Sequence, residues 1–220
     1  MDKFLIRKVQ PSQSQSSLLS QRKNWELSES ELNELKNKKQ LHEKVNGLSY
    51  YDNIINNEEA QEIISYLENA EWNCELKRRV QHYGYKYDYK SLTANTKINE
   101  FPEPIVKLQN RLNELNITDS TGDFDQAIVN EYLPGQGIAP HIDQPYIFGD
   151  TIVSVSLCSP IIMDLRYKNE HVEMNLKENS ALCLEGDSRY KWTHGIAPRK
   201  TDHNKERGKR ISVTFRKVVN

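Results

Sequence analysis

His141 and Asp143 stand two residues apart in the stretch NEYLPGQGIAPHIDQP (130–145), and a third polar landmark, His194, comes later in SRYKWTHGIAP. Side chains at i and i+2 of a strand share a face, so a strand here aims an imidazole and a carboxylate at one point. If that point is interior, the carboxylate needs a partner, because an unpaired buried charge is costly. A metal ion is one such partner and an arginine is another. Two imidazoles and one carboxylate on one face of an octahedron are the ligand set of non-haem Fe(II) oxygenases, which leave positions open for reactants. Zinc enzymes use similar donors, but their usual signature places two ligands a helical turn apart. The close pair here has a strand context. His-x-Asp alone is a weak signal, and its weight comes from the residues beyond His194.

Beyond His194 lies RGKRISVTFRKV, a predicted final strand. Arg210, Ser212, Thr214 and Arg216 fall on one face of it, and Ile211, Val213 and Phe215 on the other. An inward arginine calls for a carboxylate, whose two oxygens match the guanidinium fork. In an iron oxygenase a dicarboxylate co-substrate fills that role. Taken alone, the strand reads equally well as a sheet edge on which arginines discourage aggregation.

The elements that must position these groups divide into two regions. SESELNELKNKKQLHEKV (28–45) is predicted as a surface or docking helix, with Ser28 and Glu31 forming a capping box and only Leu32, Leu35, Leu41 and Val45 apolar. A second helix starts near Asn57, with Glu58 and Glu59 in its first turn and Ile63, Ile64, Leu67 and Ala70 as its buried stripe. A third runs from about Pro104 with Ile105, Leu108, Leu112 and Leu115 on one face. After Asp125 come seven short β-branched or aromatic runs: QAIVNEYL, TIVSVSLC, IIMDLRY, HVEMNL, SALCLEG, RYKWTHGI and RISVTFRKV. Such runs between turn residues predict an antiparallel sandwich or barrel. The expected class is α+β, with helices packed on one sheet.

At 220 residues the chain suits one domain with an appendage. The expected boundaries are an extension at 1–46, with a polar tether at 11–21 before the first helix, and a main domain at 47–220. Net charge is −1, so bulk electrostatics favour no polyanion, yet ten Lys or Arg face two acids between Arg189 and Lys217. That excess suits a phosphate backbone or a solvated edge. Three scattered cysteines form no Cys-x-x-Cys pair and no disulfide framework. No apolar run approaches the roughly 18 residues of a membrane span, and no signal peptide is evident. An intracellular protein, cytoplasmic or nuclear, with no membrane partner is the expectation.

In combination, Asn130-x-Tyr132-x-Pro134-Gly135, His141-x-Asp143, the segment around His194 and RISVTFR resemble the AlkB family of 2-oxoglutarate- and Fe(II)-dependent dioxygenases over roughly residues 47–218. The resemblance implies a double-stranded β-helix, or jelly-roll, core. It implies iron at His141, Asp143 and His194, and 2-oxoglutarate at Asn130, Tyr132, Arg210, Ser212 and Arg216. Of these Arg210 takes the distal carboxylate, and Ser212 stands where some members have an amide. The implied reaction is oxidation of a C–H bond, with 2-oxoglutarate consumed to succinate. A hydroxylated carbon bonded to nitrogen then collapses with release of formaldehyde; elsewhere a stable alcohol remains.

For substrate the informative stretch is LKRRVQHYGYKYDYKS (76–91), where Arg78, Arg79, His82, Tyr83, Tyr85, Tyr87 and Tyr89 alternate base-stacking rings with cations. An aromatic hairpin packed on the core is the plainer reading, and some of these rings must serve it. The stretch resembles the family's nucleotide-recognition lid, and is most similar to that of eukaryotic members acting on the tRNA wobble uridine. Arg79, His82, Tyr83, Tyr85 and Tyr87 are thereby implicated in substrate binding. Base-repair members carry an acid two positions after the metal aspartate, and Pro145 stands there instead. The expected partner is therefore nucleic acid, single-stranded or tRNA ahead of duplex DNA, carrying an alkylated or modified base. A protein-directed oxygenase of the same fold and an inactive nucleic-acid reader are the alternatives.

Overall fold

The computed structural model describes residues 25–74, 77–88 and 90–219. The predicted tether at 11–21 and Tyr89 lie outside the described residues. The described residues begin with α1 (Glu29–Asn37), β1 (Lys39–Leu41), β2 (Leu48–Tyr51) and α2 (Asn57–Asn69). A long hairpin, β3 (Val80–Asp88) and β4 (Thr93–Asn99), precedes α3 (Glu103–Glu114). Next come β5 (Gln126–Tyr132), β6 (Ile138–His141), β7 (Ile152–Leu157), β8 (Ile161–Tyr167), β9 (Glu170–Leu176) and β10 (Ser180–Leu184). A one-turn α4 (Gly186–Tyr190), β11 (Thr193–Ile196), the ribbon β12 (Thr201–Asp202) and β13 (Lys205–Glu206), and β14 (Arg210–Arg216) complete it.

Each of the seven predicted runs contains a strand. RYKWTHGI differs in its first half, where Arg189 and Tyr190 close α4 and the strand starts only at Thr193. The first helix is also shorter than its pattern. The Ser28–Glu31 capping box forms, but the helix stops at Asn37. After Leu35 the sequence offers no apolar residue until Leu41, so nothing holds further turns against the core. Residues 39–41 instead pair with Ser49–Tyr51 at a sheet edge.

Strands order as β1-β2-β10-β7-β14-β5-β3-β4 in a larger sheet and β6-β11-β8-β9 in a smaller one, with antiparallel pairing throughout. One face of the larger sheet meets the helices. There Ile63 and Leu67 of α2 and Ile105, Leu108 and Leu112 of α3 bury against Val129, Val153, Val155, Ile211, Val213 and Phe215. The other face meets the smaller sheet across Tyr132, Ile152, Leu182 and Leu184 on one side and Ile161, Met163, Leu165 and Ile196 on the other. This is the α+β, double-stranded β-helix architecture. It places β14 between β7 and β5, with all seven of its residues buried, so its arginines do not guard an edge.

The β3–β4 hairpin contains a change of facing. Tyr83 packs in the helix-side core, whereas Tyr85 and Tyr87 pack against the core between the sheets. Strict alternation would keep 83, 85 and 87 on one face. The register shifts between Gly84 and Tyr85, and Gly84 has φ +72°, the glycine bulge that re-aims the side chains after it. A Cβ on Gly84 would lie 1.9 Å from the Asp125 carbonyl oxygen. Gly84→Ala should therefore lower stability by at least about 1–2 kcal/mol and loosen the hairpin, read as a reduced urea midpoint and faster amide exchange in 80–99.

Candidate active site

β6 and β11 meet with His141 opposite His194 and Ile138 opposite Ile196. Gly137 permits the approach, since a Cβ there would sit 2.1 Å from the Ile196 carbonyl oxygen. The two imidazoles end with ring centroids 4.4 Å apart. Asp143 arrives differently from the expected i, i+2 strand pair. β6 stops at His141 and Asp143 lies in the loop beyond it. Asn130 and Tyr132 are on β5 in the larger sheet, so the Pro-Gly-x-Gly turn carries the chain from one sheet to the other. The cluster forms because two sheets close on each other.

Asp143 Oδ1 lies 3.9 Å from His141 Nε2, and Asp143 Oδ2 lies 4.0 Å from His194 Nε2. Both separations are too long for hydrogen bonds. His141 Nδ1 faces the Ala139 carbonyl oxygen at 2.9 Å, and a carbonyl only accepts, so Nδ1 carries the proton of the neutral tautomer, the one whose Nε2 offers a lone pair to the cluster. Asp143 Oδ2 is buried without a hydrogen-bond partner. Three donor atoms thus converge within 4.8 Å of one another without satisfying one another, which suits a metal ion of mixed N and O preference.

Arginines hold this cluster in place. Arg216 Nη2 donates to Asp143 Oδ1 at 3.0 Å, and its Nη1 donates to Gln126 Oε1 at 3.2 Å. Burial pushes the Asp143 carboxyl up, but Arg216, His194 and His141 outweigh it and hold it well below the usual carboxylate range. For His194 burial dominates, with His141, Arg216 and Arg189 adding to it against Asp143, and its pKa is pushed down to about 4. The ring is neutral at pH 7, as a metal ligand must be. Arg189, read from sequence as part of a basic strip, is fully buried and donates to the carbonyls of Asp143, Gln144, Phe148 and Gly149. One guanidinium therefore pins the loop that presents Asp143.

The opposite end of the cavity belongs to Arg210, which is 1% exposed. Its Nη2 donates to Ser156 Oγ at 2.9 Å, its guanidinium lies 5.4 Å from the Tyr132 ring centroid, and its Nε has no partner. Among the described residues no carboxylate pairs with it. Burial, ahead of nearby Arg207, pushes its pKa down to about 10, so it remains charged. Register places Ser156, Ser212 and Asn130 in one row across β7, β14 and β5, with Arg210 beside Tyr132. All but Ser156 line the same space of about 510 Å3, walled elsewhere by Ile138, Ile152, Met163, Leu182 and Leu184. Arg210, Asn130, Tyr132, Ser212 and Arg216 are thus brought together with His141, Asp143 and His194.

The substrate residues divide by face. Tyr87 stacks on Phe148 at 5.7 Å, and its hydroxyl is pushed up by burial and by Asp143, against Arg216 and a hydrogen bond with Gln144. It stands at the rim beside the His-Asp-His cluster. His82 pairs across from Ile128, on the cavity face of β5, and Tyr85 packs in the core between the sheets. Tyr83 and Arg79 are not brought to the cavity. Tyr83 is buried on the helix side, donating to Gln81 Oε1, while Arg79 makes two 2.7 Å bonds to Glu131 and stacks on Trp72. The 189–217 basic strip is also dispersed. Besides Arg189, Arg210 and Arg216, which are buried as described above, Arg199 and the likewise buried Arg207 bind Asp202, Lys191 binds Asp187, Lys209 binds Glu68 and Lys217 binds Asp125. Lys200 and Lys205 are left exposed.

A second group with metal-ligating chemistry, Asp164, His171 and Glu173, occupies the β8–β9 hairpin. Its donors already satisfy one another and their neighbours, with His171 at 2.6 Å from Asp164, His203 at 3.1 Å from Glu173, and Arg166 and Arg199 each 3.8 Å from an acid. It is an ion-pair ladder.

A two-sheet antiparallel core with a His-Asp-His cluster at one pole and an unpaired arginine at the other defines an iron-dependent oxygenase that uses an oxo-acid co-substrate. The family model described as the 2OG-Fe(II) oxygenase superfamily matches residues 32–216, and the chain belongs to that family, with AlkB-type relatives. An uncharacterized protein of Acanthamoeba polyphaga mimivirus is 32% identical over 184 residues, covering 80% of this chain and 86% of its own. The mouse tRNA (carboxymethyluridine(34)-5-O)-methyltransferase ALKBH8 is 34% identical over 202 residues, and this chain covers only 30% of that protein's length. Among solved structures, OsALKBH1 superposes with a TM-score of 0.60 at 17% identity, over 81% of this chain and 99% of that one. The chain is a 2-oxoglutarate/Fe(II)-dependent dioxygenase, with Fe(II) as cofactor and 2-oxoglutarate as co-substrate.

Because His194 is neutral when folded and titrates near pH 6.5 when unfolded, the unfolded chain binds the extra proton first. The metal-free protein should therefore lose stability as pH falls from 6.5 towards 4, with no further contribution below. Urea midpoints of the metal-free wild type across that window, set against His194→Gln, check this; equal slopes would contradict it.

Proposed function

We propose that this dioxygenase oxidises a C–H bond of an alkylated or modified nucleobase in RNA, with single-stranded RNA or tRNA preferred to duplex DNA. The carrying observation is the rim beside the metal cluster. A groove lined by His82, Lys86, Tyr87, Lys90, Asn95 and Thr96 runs along the β3–β4 hairpin, and Tyr87 reaches from it to Gln144 in the metal-binding loop. Rings, amides and ammonium groups in one channel suit bases and phosphates together. A mouse relative is named for tRNA carboxymethyluridine chemistry, and a Caenorhabditis elegans relative, 25% identical over 183 residues, is named a DNA N6-methyl adenine demethylase. Dispersal of the 189–217 cations makes the hairpin the principal nucleic-acid contact.

In this reading His141, Asp143 and His194 hold Fe(II), and Arg210, Tyr132, Ser212, Asn130 and Arg216 hold 2-oxoglutarate. When bound, the pair would activate dioxygen, one oxygen atom entering succinate as 2-oxoglutarate loses carbon dioxide and the other entering the substrate's C–H bond. The unpaired Arg210 charge fits a carboxylate brought into the cavity. Arg216 keeps Asp143 ionised, Arg189 fixes the loop, and the apolar wall of Ile138, Ile152 and Met163 keeps bulk water from the reacting groups.

Succinate formation stimulated by tRNA, together with mass spectrometry of nucleosides from treated tRNA and treated DNA, tests the substrate. His141→Ala should abolish it. Succinate formed only with peptides would transfer the enzyme to protein substrates, and none under any iron-loaded condition would leave a binding module. Arg210→Met should leave the ligand-free protein as stable as wild type or more so, since an uncompensated buried charge is removed. It should also raise the 2-oxoglutarate requirement thirtyfold or more, from loss of a charge-paired contact of about 2–5 kcal/mol. Unchanged 2-oxoglutarate saturation would place the co-substrate elsewhere.

A further inference from the structure

Arg78 and Arg79 are adjacent, yet they serve opposite faces of the larger sheet. Arg79 turns to the helix side and is consumed by Glu131 and Trp72. Arg78 turns to the cavity side, where its Nε donates to Asn130 Oδ1 at 2.8 Å and its guanidinium lies 5.8 Å from the Tyr132 ring centroid. Asn130 and Tyr132 are i and i+2 on β5, so they share its cavity face. One guanidinium therefore touches both.

The contact fixes a choice that asparagine alone leaves open. A carboxamide has an acceptor end and a donor end of nearly equal size, and either can face a ligand. Arg78 can only donate, so its bond to Asn130 requires the amide oxygen to turn outward. With the oxygen held by Arg78, the Nδ2 donors of this cavity-lining residue point away from Arg78, and no protein group among the described residues accepts from them. Tyr132 is held in parallel, its ring contacted by Arg78 and by Arg210 at 5.4 Å. Donors facing inward are what an anion needs and what a freely rotating amide would present only part of the time.

We propose that Arg78 is a positioning residue for the oxo-dicarboxylate co-substrate, locking the Asn130 amide with its N–H groups towards the bound carboxylate. This rests on the reading that Asn130 faces 2-oxoglutarate. This orientation is transmitted through Asn130, so removing Arg78 should cost no more than removing Asn130, and removing both should cost no more than removing Asn130 alone.

A double-mutant cycle tests this, with 2-oxoglutarate binding to Mn(II)-loaded protein measured by calorimetry and KM and kcat measured in the iron enzyme. Arg78→Ala should weaken 2-oxoglutarate binding about tenfold and raise its KM alike, with kcat within twofold, Mn(II) affinity unchanged and the melting temperature near wild type. Arg78→Lys, which can donate to Asn130 but cannot stack as a plane, should recover part of the loss. The Arg78→Ala/Asn130→Ala double variant should match Asn130→Ala. Additive losses would mean that Arg78 acts on the ligand directly, and undiminished binding in Arg78→Ala would mean that it does nothing there; either overturns the proposal. If Asn130→Ala itself binds 2-oxoglutarate normally, the underlying assignment of Asn130 has failed and the proposal falls with it.

Discussion

A positive charge with no negative partner, buried in the middle of a β-sheet, governs this molecule. Arg210 is fully buried on a central strand with a serine hydroxyl and a tyrosine ring for company. Burial removes it from bulk solvent and no acid pairs with it among the described residues, so the protein carries a standing cost that only an anion in the cavity can relieve. The cavity around it is otherwise apolar, apart from the few donors of β5 and β14 and the metal cluster opposite. On the function proposed above, binding of a dicarboxylate and organisation of the site are one electrostatic event.

Arginine is used three further times, each time for a different part of that organisation. Arg216 spans the cavity to Asp143 and keeps the carboxylate ionised without occupying its second oxygen. Arg189 gathers four carbonyls of one loop and so sets where Asp143 stands. Arg78 orients a neutral amide. Guanidinium suits all these tasks because it donates in a plane from several positions and stays protonated when buried. A lysine at 189 could satisfy at most three of those carbonyls, and from a single point.

Backbone irregularities aim the groups that the arginines hold. Gly137 allows β6 to press against β11 so that His141 and His194 become neighbours, and the bulge at Gly84 swings Tyr85 and Tyr87 onto the cavity side of their hairpin. At Gly84, regular strand geometry would put Tyr85 and Tyr87 on the helix side with Tyr83.

The linear order of residues determined a good deal. Seven β-rich runs, two amphipathic helices, the alternation of RISVTFR and the ligand types at 141, 143 and 194 were legible because burial periodicity and donor chemistry are local properties. The illegible features depended on partners distant in the chain. The cations between 189 and 217 suit a phosphate strip or a solvated edge equally well in the sequence; in the fold Asp202, Glu68, Asp125, Asp187, Asp143 and a set of carbonyls take seven of the ten. Nothing in KRRV says which arginine faces the cavity, and no spacing shows that Asp143 leaves its strand. The shortened first helix belongs here too, since an edge of β2 competed for residues 39–41. Sequence specifies which side chains can bind, pair or pack; folding decides which of them meet, because the meeting is a compromise among strands, loops and charges that become neighbours only when the two sheets close.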